Sequence, residues 1–316
     1  MRRAPIAALA LSLVPGAYGN DGSASTAAGG IQLVREARIS MEKERLFISE
    51  KKITVEYEFL NETDRDITTE VAFPIPPYEK HAGDNDRPQP VDNFHVWVEG
   101  HDLDYQTEIK ALLRGVDYSA RLRQLGIDVV SFGHFRLGDG SLDFGKLPKQ
   151  QRKALQQIGL FKENIPQWSV KMTHHWQQTF PARKILHVRH EYTPVLGNMI
   201  TGLDDLTNPK PEARHLADFT QWCIDPPLRK TLTASTQKQG YGKVTWVDYI
   251  LTTANTWKTP IKQFELEVET PGAAKHAYLS FCWNGPILSP DPDHFIARAT
   301  NFVPMRELSV AFFPGD

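Results

Sequence analysis

Between Ile53 and Phe59 the chain alternates with period two: Ile53, Val55, Tyr57 and Phe59 are apolar, while Thr54, Glu56 and Glu58 between them are polar. Successive side chains of a strand point to opposite faces, so this run predicts a strand with one dry and one wet face. The same rhythm returns at Phe94, Val96 and Val98. It returns again at Trp168, Val170, Met172, His174 and Trp176, and at Leu186, Val188, His190 and Tyr192. Turn chemistry divides these runs: Asn61-Glu62-Thr63-Asp64, the prolines 74, 76 and 77, Glu99-Gly100-His101-Asp102, and Phe180-Pro181-Ala182-Arg183. Further strands are expected at Ile67–Phe73, Val244–Thr252, Phe264–Val268, Ala277–Trp283, Phe295–Phe302 and Leu308–Phe313. A short strand is expected near Phe219–Cys223, with a helix after Pro227. Many strands broken by turns every ten or so residues predict a mainly β fold, with two antiparallel β-sandwich (Ig-like) regions. The boundaries place one sandwich at 20–111 and the other at 166–316.

The segment 112–165 breaks the rhythm. Asp117–Leu125 has helical spacing and stops at Gly126, and Pro148–Ile158 has it again and stops at Gly159. A Gly-rich stretch, Ser131–Gly145, lies between them. This segment reads as an α-helical insertion between the two β regions.

The first nineteen residues set the compartment. Arg2 and Arg3 precede an apolar run, Ala4–Val14, then Pro15-Gly16, with small residues at Ala17 and Gly19. That is the pattern of a signal peptide (residues 1–19) cleaved after Gly19. Its apolar run has 11 residues, against the roughly 20 that cross a bilayer. The expectation is an exported protein, periplasmic or secreted, with no stable membrane insertion after signal removal. Without Arg2 and Arg3 the 36 basic residues become 34 against 38 acidic, a net charge of −4. An interspersed acidic balance argues against a nucleic-acid partner, which selects a basic stripe. The two cysteines, Cys223 and Cys282, are expected to form a disulfide in an oxidising compartment, closing a 60-residue loop. The alternative is a pair of buried free thiols.

Three groups of short motifs then coincide. The first comprises Asn20-Asp21, Gly29-Gly30, Leu46-Phe47-Ile48-Ser49 and Val71-Ala72-Phe73-Pro74 with Pro76. The second comprises Trp176, Gln178, Phe180-Pro181, and His190-Glu191-Tyr192 with Pro194 and Gly197. The third comprises Leu251-Thr252-Thr253, Asn255, Trp257, Pro260-Ile261, Phe264, Ser280-Phe281-Cys282, Asn301-Phe302 and Pro304. In this order the chain resembles the exported bacterial family known as domain of unknown function 4424, from about Asn20 to Phe313. The resemblance implies export, a strand-rich architecture and a Cys223–Cys282 pair, and transfers no catalytic residue.

Histidines 174, 175, 187 and 190 fall on what reads as one hairpin turning at Pro181-Ala182. One register sets His174 beside His190, so these two are the candidate metal ligands, although their spacing is no metal signature. The competing reading makes His190 a half-buried histidine satisfied by backbone or by the Tyr192 hydroxyl. Asp84-Asn85-Asp86 and Asp291-Pro292-Asp293 do not continue into a calcium loop and read as turns. Ser131-Phe132-Gly133 is not a nucleophile elbow, and no phosphate loop or dinucleotide fingerprint occurs, so no cofactor is implied. Of the seven tryptophans, five are expected in the core. The leading expectation is a non-catalytic binding or scaffolding module of the cell envelope. Its possible binding surface is Trp176, His190 and Tyr192, and its partner an envelope protein or glycan. The rival is a metal-dependent or carboxylate-based hydrolase using His190 and loop acids.

Overall fold

The period-two runs become strands in a computed structural model that describes residues 20–27, 30–77, 92–129, 147–162, 165–207, 220–270 and 278–313. The first half contains β1 (Gly22–Ala27), β2 (Gly30–Leu33), β3 (Ile39–Ile48), β4 (Ile53–Asn61) and β5 (Ile67–Pro74). There follow β6 (Asp92–Val98), β7 (His101–Asp102), β8 (Gln106–Leu113), β9 (Val116–Asp117), and helices α1 (Ser119–Gln124) and α2 (Lys149–Gln157). Next come β10 (Phe161–Lys162), β11 (Ile165–Pro166), β12 (Ser169–Phe180), β13 (Ile185–Thr193), β14 (Leu196–Thr201), α3 (Leu203–Thr207) and α4 (Pro226–Gln239). The last part holds β15 (Gly242–Tyr249), a 3-10 turn (Thr252–Thr256), β16 (Ile261–Glu269), β17 (Tyr278–Phe281), β18 (Ile287–Asp291), β19 (His294–Phe302) and β20 (Leu308–Phe313).

Both helices of the 112–165 segment end where glycine permits a left-handed backbone, Gly126 at φ 69° and Gly159 at φ 75°. The Gly-rich stretch 131–145 lies outside the described residues, as does Asp84-Asn85-Asp86. The helix expected after Pro227 begins one residue earlier, at Pro226. Asp225 caps it by accepting from the Leu228 amide at 2.7 Å, and Gly240 closes it. Residues 220–221 belong to a helical turn rather than the expected strand.

The fold is mainly β, in three open sheets and a two-stranded ribbon among the described residues. Their orders are β2-β1-β5-β12-β8-β9, β18-β19-β16-β3-β4-β13-β6-β7, β14-β15-β20-β17 and β10-β11. Two separate Ig-like sandwiches are not what forms. Strand β12 pairs with β5 and β8, β13 with β4 and β6, and β3 runs parallel to β16. Strands from 20–111 and 166–316 therefore share sheets, and the pairing crosses both expected boundaries.

The expected hairpin is the clearest correction. β12 and β13 flank the turn at Pro181–Lys184 but enter different sheets, so they form an arch. Asn61, at the end of β4, holds that turn: its Nδ2 donates to the Phe180 carbonyl, its backbone oxygen accepts from Arg183, and its amide donates to Lys184. The inward faces of the two strands thus look at each other across the core. Rings that alternation placed side by side meet across the core, as Trp176 and His190 do at 5.3 Å between centroids, tilted by 57°.

The eight-stranded sheet turns one face inward along nearly its whole width. Tyr57, Phe59, His190 and Tyr192 at one end pack on the six-stranded sheet, through contacts such as Phe59–Phe180 and Phe73–Tyr192. At the other end Phe264, Leu266 and Val268 share a core with Val247, Tyr249, Val310 and Phe312 of the four-stranded sheet. The far face of β20 carries Ala311 and Phe313 into a second cluster with Trp222 and Leu232, beneath α4. β20 is dry on both faces, which is why its sequence LSVAFF reads as one apolar run rather than as an alternation.

Candidate functional site

A β-bulge places the most unusual side chain of the core. Met41 lies opposite Phe59, but Lys43, not Glu42, lies opposite Glu58. The extra residue reverses the facing of the rest of β3, so Glu44, Leu46 and Ile48 point inward. Glu44 is completely buried and lies directly across from Tyr57.

The segment before β1 lies over this glutamate. Asn20 and Asp21 are both at 0% exposure. Asn20 Nδ2 donates to both Glu44 oxygens at 3.1 and 3.0 Å, and its Oδ1 accepts from the Tyr57 hydroxyl. The Tyr57 and Tyr249 hydroxyls are 3.1 Å apart. Thr253 Oγ1 donates to the Asn20 carbonyl at 2.6 Å, and Trp257 Nε1 to that of Asp21 at 2.8 Å. Asp21 Oδ2 lies 3.0 Å from His190 Nε2, with side-chain exposures of 1% and 0%. Burial raises the Asp21 carboxyl above its ordinary range, against the pull of His190. Glu44 is pushed up to about 8 by burial and by the Asp21 charge, opposed by the Asn20 hydrogen bond. Burial lifts both tyrosine hydroxyls well above their normal range.

An imidazole held by a carboxylate is the geometry of an oriented general base. Here both members are sealed from solvent, and Trp176 and Tyr192 are also buried, at 4% and 3%. The expected binding surface Trp176–His190–Tyr192 is therefore interior, because its strands belong to facing layers. His190 Nε2 is engaged by Asp21 rather than by Tyr192 or backbone, and its Nδ1 is buried without a partner among the described residues. His174 faces it from the six-stranded sheet, with Phe94 stacked 4.2 Å from His174 and 5.5 Å from His190. Thr107 Oγ1 bonds His174 Nδ1 at 2.8 Å. Burial, then the neighbouring His190 and His175, hold His174 down to about 3, so it is neutral at physiological pH. Among the described residues no three metal-ligating side chains cluster. Asp291 caps its own turn, accepting from the amides of Asp293 and His294.

The wet face of the eight-stranded sheet carries what the sequence reading missed. Strand register lines up Trp97, Arg189, Glu56, Arg45, Glu265 and Arg298 in one row across six strands. Charge alternates along it, with Arg298 Nε 2.6 Å and Arg45 Nε 3.7 Å from Glu265. At its end the Arg189 guanidinium lies over the Trp97 ring at 4.9 Å, and His95 stacks on the same ring. A parallel row runs His187, Glu58, Lys43, Gln263 and Thr300. Two solvent-open depressions of about 420 and 490 Å³ lie along these rows and share Lys43 and Arg45. Four tryptophans are buried, namely 168, 176, 222 and 257, against the five expected in the core. Trp97, Trp246 and Trp283 are half-buried. Only the polar positions between Ile53, Val55, Tyr57 and Phe59 hinted at this surface.

Cys223 and Cys282 stand at disulfide distance, with Cα atoms 5.0 Å apart. No helix among the described residues is long and apolar enough to cross a membrane. These features define a layered, mainly β protein with a sealed polar core and a charged open sheet face. The chain belongs to the family described as "Domain of unknown function (DUF4424)", whose profile matches residues 19–311. Among solved structures it is similar to "a putative nutrient binding protein" from Legionella pneumophila, at 14% identity and a TM-score of 0.43, covering 94% of this chain and 70% of that one. No curated protein matches.

Proposed function

We propose that this is an exported, non-catalytic binding protein of the cell envelope, and that its ligand is a glycan held on the wet face of the eight-stranded sheet. The signal pattern at 1–19, with cleavage after Gly19, supports export, as does the Cys223–Cys282 pair.

The observation that carries the reading is the row from Trp97 to Arg298 along two connected depressions. A half-buried indole offers a flat apolar platform to the C–H face of a sugar ring. Alternating guanidinium and carboxylate groups offer donors and acceptors in pairs, the complement of neighbouring hydroxyls. The balance of signs favours a neutral, hydroxyl-rich ligand over a polyanion. The hydrolase reading loses its central residue, since His190 and the acid that touches it, Asp21, are both sealed from solvent.

The test is retention on an array of defined bacterial envelope glycans, followed by calorimetric titration of any hit. Trp97→Ala is expected to weaken binding about tenfold, roughly 1.4 kcal/mol, without moving the melting temperature. Capture of no glycan, or equal binding by Trp97→Ala, refutes the assignment. Capture of an envelope protein through the same rows would replace the glycan by a protein partner.

A further inference from the structure

We infer that cleavage after Gly19 completes the core: the new α-ammonium of Asn20 is a buried structural cation that neutralises the Glu44–Asp21 carboxylate cluster. This rests on the export reading and adds to it a role for the processed end in folding.

The argument begins with a charge count. The cluster contains two fully buried carboxyls, Asp21 and Glu44, and one group able to be cationic, His190. His190 is engaged by Asp21. Among the described residues Glu44 accepts hydrogen bonds only from the neutral amide of Asn20, and it lies across from a tyrosine. Carboxyls removed from water are held there by a cation or by taking up a proton. Unprocessed, Glu44 is left with the second option, in keeping with its raised pKa of about 8.

The position of Asn20 supplies the first option. Its side-chain nitrogen is 3.0 Å from Glu44 Oε2, and covalent geometry keeps its own α-nitrogen within about 5 Å of that side-chain nitrogen. Asn20 is wholly buried and its carbonyl is fixed by Thr253, so the α-nitrogen is held inside the cluster rather than at the surface. A second observation is independent of the charge count. Asp21 Oδ1, on the residue that follows Asn20, is a buried acceptor without a hydrogen-bond partner among the described residues. An ammonium brings three donors where an amide brings one.

The chemistry balances with water as the co-reactant. An envelope endoprotease accepting small residues at Ala17 and Gly19 hydrolyses the Gly19–Asn20 amide. The carbonyl carbon gains the water oxygen and leaves as the leader's carboxylate, while the Asn20 nitrogen takes up protons to become the ammonium. That charge forms at Asn20 and nowhere else along the chain.

The test first determines the N-terminus of the exported protein by mass spectrometry; Asn20 is expected. A retained leader would overturn both the export reading and this inference, whereas a start at any other residue would overturn the inference alone. Two chains are then compared in urea unfolding at pH 7, one beginning at Asn20 and one at Gly19, which moves the charge one residue away. The Asn20 chain is expected to have a folding equilibrium constant at least tenfold larger. In a Glu44→Gln background that gap is expected to fall below threefold. Equal stability of the two chains, or the same gap with Gln at 44, overturns the inference while leaving export intact. Should Glu44→Gln not fold, reductive methylation of the wild-type protein decides. The Asn20 amine is expected to resist labelling in the native state and to react in urea, and ready native labelling would overturn the assignment.

Discussion

Removing the imidazole of His190 should be among the most damaging single changes in this protein, and its cost should depend on pH. His190 Nε2 and Asp21 Oδ2 are 3.0 Å apart and neither side chain meets solvent. His190→Ala leaves Asp21 buried beside an empty space, an uncompensated charge of the kind that costs about 3–5 kcal/mol. The sign of the pH effect follows from the carboxyl. Burial raises the folded-state pKa of Asp21, and the variant lacks the imidazole that opposed the rise. A raised carboxyl stabilises the fold below its ordinary pKa and loses that contribution as pH rises through the folded value. The penalty should therefore be larger at pH 7 than at pH 4. Urea unfolding followed by tryptophan fluorescence reads it directly, and with a slope of about 1–3 kcal/mol/M the midpoint should fall by at least 1 M. Adding Asp21→Asn should recover part of the loss, because the orphaned charge goes with it. A loss below about 1 kcal/mol at pH 7, or one that is the same at pH 4, would refute the picture of a dry pair.

Other consequences can be checked in the same way. His174 is held down to about 3, so its contribution is present above 6.5 and is lost as pH falls towards 3. Across that window stability should drop by about 1.4 kcal/mol per pH unit from this group, and His174→Gln should flatten the profile measured by urea midpoints. Replacing both cysteines by serine frees a 60-residue loop, an entropic loss of about 4 kcal/mol, measurable by denaturant titration. Gly197→Ala should destabilise by about 1–3 kcal/mol, since a Cβ there would fall within 1.9 Å of the Trp246 ring. A melting curve unchanged from wild type would show that the indole does not rest on Gly197.

The sequence was informative wherever one residue's neighbours along the chain decide its facing. Ile53–Phe59 read correctly because both faces of β4 follow a single phase from end to end. Helices α1 and α2 were legible through their terminal glycines, and α4 through its prolines. Register and sheet membership were not legible, being set by partners remote in the chain. Thus β12 and β13 looked like a hairpin, and only the hold of Asn61 on the turn shows why they part into an arch. Glu44 was invisible for a related reason: one bulge at Glu42 moves it from the wet face to the dry one. The burial of Asn20 and Asp21 likewise follows from contacts with Tyr57, Thr253 and Trp257, residues 36 to 236 positions away. The row from Trp97 to Arg298 draws on six strands, and no local pattern joins them. His190 stood out in the sequence, but for its packing rather than for ligand contact.

The most direct measurement is amide hydrogen exchange with and without a glycan captured on the array. Ligand should slow exchange in residues 43–45, 56–58, 95–98 and 187–189 while leaving 172–176 unchanged. Slowing centred on 172–176 and 190–192, with the outer rows unaffected, would contradict the assignment of function to the open sheet face.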